Sequence, residues 1–169
     1  MRPFFDQVRQ QSLRLVQGLS EADCQVQSMP DASPTKWHLA HVTWFFETFL
    51  LERFERGFTP FDASFRVLFN SYYQAVGEQS PRARRGLILR PTLEGVRAYR
   101  AQVDARMAAL LQARGDEPQI ASLAMLGLQP AQVAVGVVLV YAQLGAQPLG
   151  VEPLEGADAH AALVQATVP

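Results

Sequence analysis

The stretch from Ser33 to Leu51 constrains the fold more than any other part of the chain. Ser33 and Pro34 fit a helix start, because serine caps helix N-termini and proline suits the first helical position. Mostly apolar residues then recur at steps of three and four, on one helical face: Trp37, Ala40, Trp44, Phe45, Thr48, Leu51 and Phe54. We therefore predict a long helix that ends near Gly57 and buries this face in a helical domain.

Two of the three histidines, His38 and His41, lie one turn apart on the stripe beside this apolar face. Such imidazoles are either a metal-ligand pair in a bundle core or two side chains that only form hydrogen bonds at its rim. Histidine pairs on helices are more often structural than ligating. The spacing alone leaves both interpretations open.

Similar periodicity predicts three more long helices. The first spans about Pro3–Gly18 and the third Thr92–Gly115; the last begins near Pro118 and meets a helix-breaking Pro130 before the apolar run Val133–Tyr141. Charged residues occupy the second face of the third helix: Arg97, Arg100, Asp104 and Arg106. The predicted fold class is all-α, a four-helix bundle.

An aromatic-rich insert separates the second and third helices. Its first part, residues 58–77, predicts one or two short helices that cover the end of the bundle. Its second part, EQSPRARRGLILRP, has no apolar period and clusters Arg82, Arg84, Arg85 and Arg90. Such a charge run is usually a solvated loop, and the alternative is a clamp for a carboxylate or phosphate, which guanidinium groups bind bidentately.

Length and composition narrow the class of protein. The 169 residues suit one domain, which we place at residues 1–150 with a tail at 151–169 that contains His160. A net charge of -1 gives no footprint for nucleic acid or for an anionic membrane. The single Cys24 excludes an internal disulfide, and no signal peptide is evident, so we expect a cytoplasmic protein in which Cys24 is a plain small side chain.

Several strings of the sequence carry a family resemblance. MPDASPTKWHLAHVTWFFETFLL, FNSYYQAVG, PRARRGLILRPT and EGVRAYRAQVD, within about Met29 to Asp104, resemble the N-terminal domain of the ergothioneine-biosynthesis sulfoxide synthases. That domain is a DinB-like (YfiT-like) four-helix bundle. The resemblance implies a non-haem iron held by three histidines, one from the second helix and two from an H-x-x-x-H on the last. The iron activates oxygen to join cysteine or γ-glutamylcysteine to trimethylhistidine, and a second domain supplies much of the pocket.

The resemblance assigns roles to single residues. The second-helix ligand falls on His41, and the basic motif that holds the carboxylate of the thiol substrate falls on Arg82 and Arg85. The H-x-x-x-H pair is absent, because its approximate places hold Ala131 and Val135. A mononuclear iron site open to oxygen normally needs three facial ligands. We therefore expect His41 to be a vestigial ligand without metal, with His38 as a weaker candidate.

Three hypotheses about function follow. The first is a stand-alone relative of the sulfoxide-synthase domain, without metal or catalytic activity of its own, that binds a small thiol, an amino acid or a partner protein. The second is a metal-dependent DinB-like thiol transferase, or part of a split sulfoxide synthase. It would hold non-haem iron or another divalent metal through His41, with His38 as an additional candidate, and through Glu47, Asp62 or a partner chain. The third is a structural or regulatory module in which Val133–Tyr141 packs against a second copy, as a homodimer, or against another protein.

Overall fold

The computed structural model describes residues 1–71 and 73–129 of the chain. Every regular element in this part is helical, which confirms the all-α fold class. The predictions about Pro130, Ala131, Val135, the run Val133–Tyr141 and the tail at 151–169 with His160 lie outside the described residues.

Four long helices form the frame: α1 (Arg2–Leu15), α3 (Thr35–Phe46), α6 (Leu93–Arg114) and α7, which is helical from 118 to 129. α3 continues through a π-helical turn, Glu47–Leu51, into α4 (Glu52–Phe54). The short helices α2 (Glu21–Gln25) and α5 (Phe65–Leu68) lie in the connections, and the insert adds two 3-10 segments, Gln74–Val76 and Arg82–Leu87.

Local capping explains where several helices begin. The Thr92 hydroxyl accepts a hydrogen bond from the Gly95 N–H at the start of α6, and Ser20 and Asp23 form a capping box on α2. The prediction for Ser33 is wrong. α3 begins at Thr35 with Pro34 in the cap position, because the Ser33 hydroxyl accepts a hydrogen bond from an arginine side chain instead.

Two predicted helix ends also need correction. α1 ends at Leu15, before Gly18, and the α3–α4 helix ends at Phe54, before Gly57. Gly18 and Gly57 each have a positive φ, 88° and 67°. Each helix therefore ends before its glycine. The glycine itself has a positive φ, a conformation that glycine adopts without steric cost.

α3 lies at the centre of the core and packs against α6, which also contacts α1. Its burial differs from the one-sided pattern predicted. Every residue from Thr35 to Phe46 is buried except His38 and His41, which keep partial exposure. α7 packs closely on α3, because a Cβ atom at Gly127 would lie 2.6 Å from the Phe45 ring. The histidine stripe is therefore the accessible side of an otherwise enclosed helix.

Buried polar side chains tie three helices together. Arg100 of α6 is fully buried and donates hydrogen bonds to the Ser12 hydroxyl (2.7 Å) and to the backbone carbonyls of Arg9 and Leu39. Arg9 pairs with Asp104 at 2.7 Å and donates to the Thr43 hydroxyl at the same distance. Arg100 was predicted on the charged face of its helix, and its burial corrects that prediction.

None of the helices in residues 1–71 and 73–129 combines the length and apolarity needed to cross a membrane.

Candidate functional site

His41 is held in one orientation by a hydrogen bond and by aromatic rings. Its Nδ1 lies 2.7 Å from the Phe69 carbonyl oxygen, which only accepts, so Nδ1 carries the proton. The ring stacks on Trp37 and on Trp44, with centroids 4.7 Å and 5.7 Å away. In the neutral imidazole the lone pair is therefore on Nε2.

His38 lies one turn earlier on the same stripe. Its side chain keeps partial exposure, but its Nδ1 is buried and has no hydrogen-bond partner among the described residues. Burial, and then the nearby charges of His41, Arg85 and Arg82, lower the pKa of His38 from 6.5 to about 3. His38 is therefore neutral at neutral pH. These electrostatic effects also show that the four candidate site residues, His38, His41, Arg82 and Arg85, lie close together.

The segment Arg82–Leu87, here called the arginine segment, is a docked 3-10 helix. The Gln27 side chain donates to the Arg82 carbonyl (2.8 Å) and accepts from the Gly86 N–H (2.6 Å), while Gln25 donates to the Gly86 carbonyl (2.7 Å). A Cβ atom at position 86 would lie 2.9 Å from Gln27, so this close approach requires glycine. The segment is therefore a docked 3-10 helix with Arg85 buried, and not the solvated loop that such a charge run usually forms.

Arg85 points inward from the arginine segment and is 3% exposed. Its guanidinium carbon lies 3.6 Å from the centroid of the Trp37 ring, and it donates hydrogen bonds to the hydroxyls of Ser33 (2.8 Å) and Ser71 (3.4 Å). Among the described residues it forms no ion pair, and its buried Nε has no partner. Burial, and then the charge of Arg82, lower the pKa of Arg85 to about 9, so it stays protonated at neutral pH.

The space beside Arg85 is small. A cavity of about 10 Å³ is lined by Lys36, Trp37, Phe69 and Arg85, among others. That volume holds about one water molecule. Arg82, His38 and His41 each keep partial exposure, so solvent reaches the site on their side.

The predicted acidic metal ligands are engaged elsewhere. The buried carboxylate of Glu47 accepts hydrogen bonds from the Tyr99 hydroxyl (2.6 Å) and the Phe61 N–H (2.8 Å). Asp62 is exposed and accepts from the backbone and hydroxyl of Ser64. Residues 1–71 and 73–129 contain no group of three His, Cys, Asp or Glu side chains that could hold a metal ion. These residues alone therefore do not fit the three-ligand iron site that the resemblance implies.

Sequence reasoning missed the residues that support the site. Trp37 was assigned only to the core, yet its ring contacts both Arg85 and His41. Gln25 and Gln27 carried no recognisable signal, since isolated glutamines have no typical pattern. Cys24 is buried, and burial raises the pKa of its thiol, as expected for a plain core side chain.

Comparison with known proteins gives the family. No curated protein matches the chain significantly. A family model described as the DinB superfamily matches residues 5–139, which is most of the sequence and includes α3, α6, most of α1 and the candidate site. The chain, an all-α protein with its histidine stripe on the second long helix, therefore belongs to the DinB superfamily.

Proposed function

We propose that this chain is a ligand-binding relative of the N-terminal domain of the ergothioneine sulfoxide synthases, without metal or catalytic activity of its own. Its ligand is a small thiol or amino acid whose carboxylate binds beside Arg82 and Arg85. The strings quoted from residues 29–104 support this relationship, and the donor set around His41 supports a site that does not depend on iron.

The buried guanidinium of Arg85 carries the proposal. A buried charge normally has an oppositely charged partner, because desolvation is otherwise uncompensated. Arg85 has only two hydroxyl acceptors among the described residues, and Arg82 adds a second positive charge nearby. A carboxylate is the group that this arrangement favours, since charge-assisted hydrogen bonds to guanidinium are among the strongest in proteins.

The cavity volume determines where such a ligand binds. An amino acid does not fit in the cavity of about 10 Å³ beside Arg85. In our proposal the carboxylate of the ligand therefore contacts Arg82, which is partly exposed. The buried Arg85 attracts the carboxylate through its positive charge. The neutral His38 and the stacked His41 form the neighbouring surface for the rest of the ligand.

A second candidate function rests on the orientation of His41. A metal-ligating histidine usually donates its other ring N–H to a carbonyl or carboxylate, and the Nδ1–H of His41 donates to the Phe69 carbonyl. A metal-dependent thiol transferase, or part of a split sulfoxide synthase, would use His41 Nε2. Such a site would bind non-haem iron or another divalent metal, and it would need ligands from the chain after Gln129 or from a partner protein.

Calorimetry on the full chain tests the first proposal. We expect metal-free protein to bind cysteine, γ-glutamylcysteine or trimethylhistidine saturably. Arg82→Ala should weaken this binding by about tenfold or more, the effect of about 1.4 kcal/mol. Arg84→Ala is the matched control, because Arg84 is the exposed neighbour on the same segment, and it should leave the affinity unchanged. Absence of binding by all three compounds, or equal losses in both variants, would contradict the proposal.

Elemental analysis separates the two candidates. Purified wild-type protein and His41→Ala are compared for iron, zinc, nickel and manganese. A stoichiometric metal that disappears in His41→Ala would replace the first proposal with the second. Equal, substoichiometric amounts in both samples would support binding without metal.

A further inference from the structure

The three most exposed large hydrophobic side chains of the described residues lie at or directly after the end of the arginine segment and in the stretch 25–27 that binds its backbone. They are Leu87, Leu89 and Val26, at 72%, 67% and 63% exposure, here called the outer patch. Val26 lies between Gln25 and Gln27, which both bind Gly86, the neighbour of Leu87. The next most exposed is Val67 at 41%. Leu87 and Leu89, the two most exposed, thus lie close in sequence to the buried Arg85.

The outer patch is held in place from several directions. Gln25 and Gln27 fix the backbone at Gly86, and the Lys36 ammonium donates to the Leu89 carbonyl at 3.1 Å. Lys36 is itself buried and pairs with Glu21. Exposed apolar side chains on a fixed backbone lose little conformational entropy when a partner binds them. The patch is therefore preorganised for docking.

Two arginines flank Leu87 and Leu89 in sequence and form what is here called the rim of the outer patch: Arg84 precedes Leu87, and Arg90 follows Leu89. Arg84 and Arg90 are exposed, and neither forms an ion pair with a carboxylate in residues 1–71 and 73–129. Glu21 lies close enough to Arg90 to feel its charge, but its carboxylate already accepts from the Leu93 N–H and pairs with Lys36. The two rim guanidinium groups are thus available to acidic groups on a partner.

We propose that the outer patch is a docking site for a partner protein that presents acidic residues around an apolar contact. An isologous contact with a second copy would place the same positive rim on both sides, which like-charge repulsion disfavours. Membrane recruitment by charge typically uses clusters of four to eight basic residues, and the chain has a net charge of -1. Charge complementarity therefore favours an acidic protein partner, independently of any ligand at Arg82.

A phage library of random peptides tests this proposal on the full chain. Selection on the wild-type protein is combined with counter-selection on Leu87→Ser/Leu89→Ser. We expect the enriched peptides to combine acidic and apolar residues. A synthetic peptide from this pool should bind the wild-type protein in fluorescence polarisation. Its affinity should be about tenfold lower for the Leu87→Ser/Leu89→Ser variant, and its affinity for the wild-type protein should fall as the salt concentration rises. Leu13→Ser/Val67→Ser, which changes two exposed side chains elsewhere, should leave the affinity unchanged.

Four results would overturn the proposal. Peptides without acidic enrichment, or with equal affinity for the double variant, would remove the basis for an acidic partner. Binding to phosphatidylserine vesicles that is lost in the double variant would assign the patch to a membrane surface. A dimer seen in sedimentation that is lost in the double variant would assign it to a second copy. If the double variant does not fold, Arg84→Glu/Arg90→Glu provides the same comparison by reversing the rim charge.

Discussion

The side chains of Arg85, Trp37 and His41 form a stack, in which one indole ring contacts both a cation and an imidazole. The stack links the arginine segment to α3 although the two are far apart in sequence. It explains why a charged residue can be almost fully buried there. The indole ring and two hydroxyl groups replace part of the hydration that the guanidinium loses.

Replacement of Arg85 should therefore cost stability. We expect Arg85→Ala to lower the free energy of unfolding by about 1–3 kcal/mol, because the cation–π contact and two hydrogen bonds are lost. The exposed Arg84→Ala should change it by less than about 0.5 kcal/mol. Urea unfolding followed by circular dichroism measures both. Equal effects in the two variants would show that Arg85 is not stabilised by this stack.

The depressed pKa of His38 predicts a dependence of stability on pH. The ring changes its pKa from 6.5 in the unfolded chain to about 3 in the folded protein. Between these values the unfolded chain binds a proton that the folded protein does not, so stability is lost as the pH falls from 6.5 towards 3. The loss is at most about 1.4 kcal/mol per pH unit. In His38→Gln, urea unfolding across this range should show a shallower dependence on pH, and parallel curves for wild type and variant would contradict this assignment.

Among the elements, the π-helical turn Glu47–Leu51 joins α3 to both α6 and the insert. Its first residue, Glu47, receives hydrogen bonds from Tyr99 on α6 and from Phe61 in the insert. Burial, and then the Glu47 charge, raise the pKa of Tyr99, so its hydroxyl stays protonated and donates. The role of this carboxylate is therefore to hold the aromatic insert on the bundle.

A double-mutant cycle measures this contact between elements. Glu47→Gln should lower the free energy of unfolding by about 1–3 kcal/mol, because one of two buried acceptors becomes an NH₂ donor. The double variant Glu47→Gln/Tyr99→Phe should lose less stability than the sum of the losses in the two single variants, with a coupling energy above about 0.5 kcal/mol. Glu52→Gln, in an exposed pair with Arg66, should cost less than about 1 kcal/mol. Strict additivity of Glu47→Gln and Tyr99→Phe would contradict a direct contact.

For the whole molecule, the sequence predicts best what depends on local periodicity and capping. Thr92 and the apolar positions of α6 lie within one stretch of chain, so its start and its end before Gly115 follow from the sequence alone. The environment of Arg100 does not, because its partners are Ser12 and the carbonyls of Arg9 and Leu39, on two other helices. The inward orientation of Arg85 could not be predicted either, because its partners Ser33 and Ser71 are distant in sequence.

The network of buried polar side chains around Arg100 joins three helices and contains the carboxylate of Asp104. Asp104 forms an ion pair with the buried Arg9, and its charge also acts on the buried Arg100; among the described residues no other carboxylate pairs with either arginine. Asp104→Asn leaves these charges uncompensated, and we expect a loss of about 2–4 kcal/mol in the free energy of unfolding, since removing one partner of a buried pair is costly.

Asp6→Asn is the matched control for this change, because Asp6 forms an exposed pair with Arg2 at 3.5 Å and should contribute less than about 1 kcal/mol. Adding Arg9→Met to Asp104→Asn removes one uncompensated charge while keeping much of the side-chain volume. The double variant should therefore be more stable than Asp104→Asn alone. If Arg9→Met instead lowers the stability further, the loss in Asp104→Asn comes from a source other than the buried positive charge of Arg9.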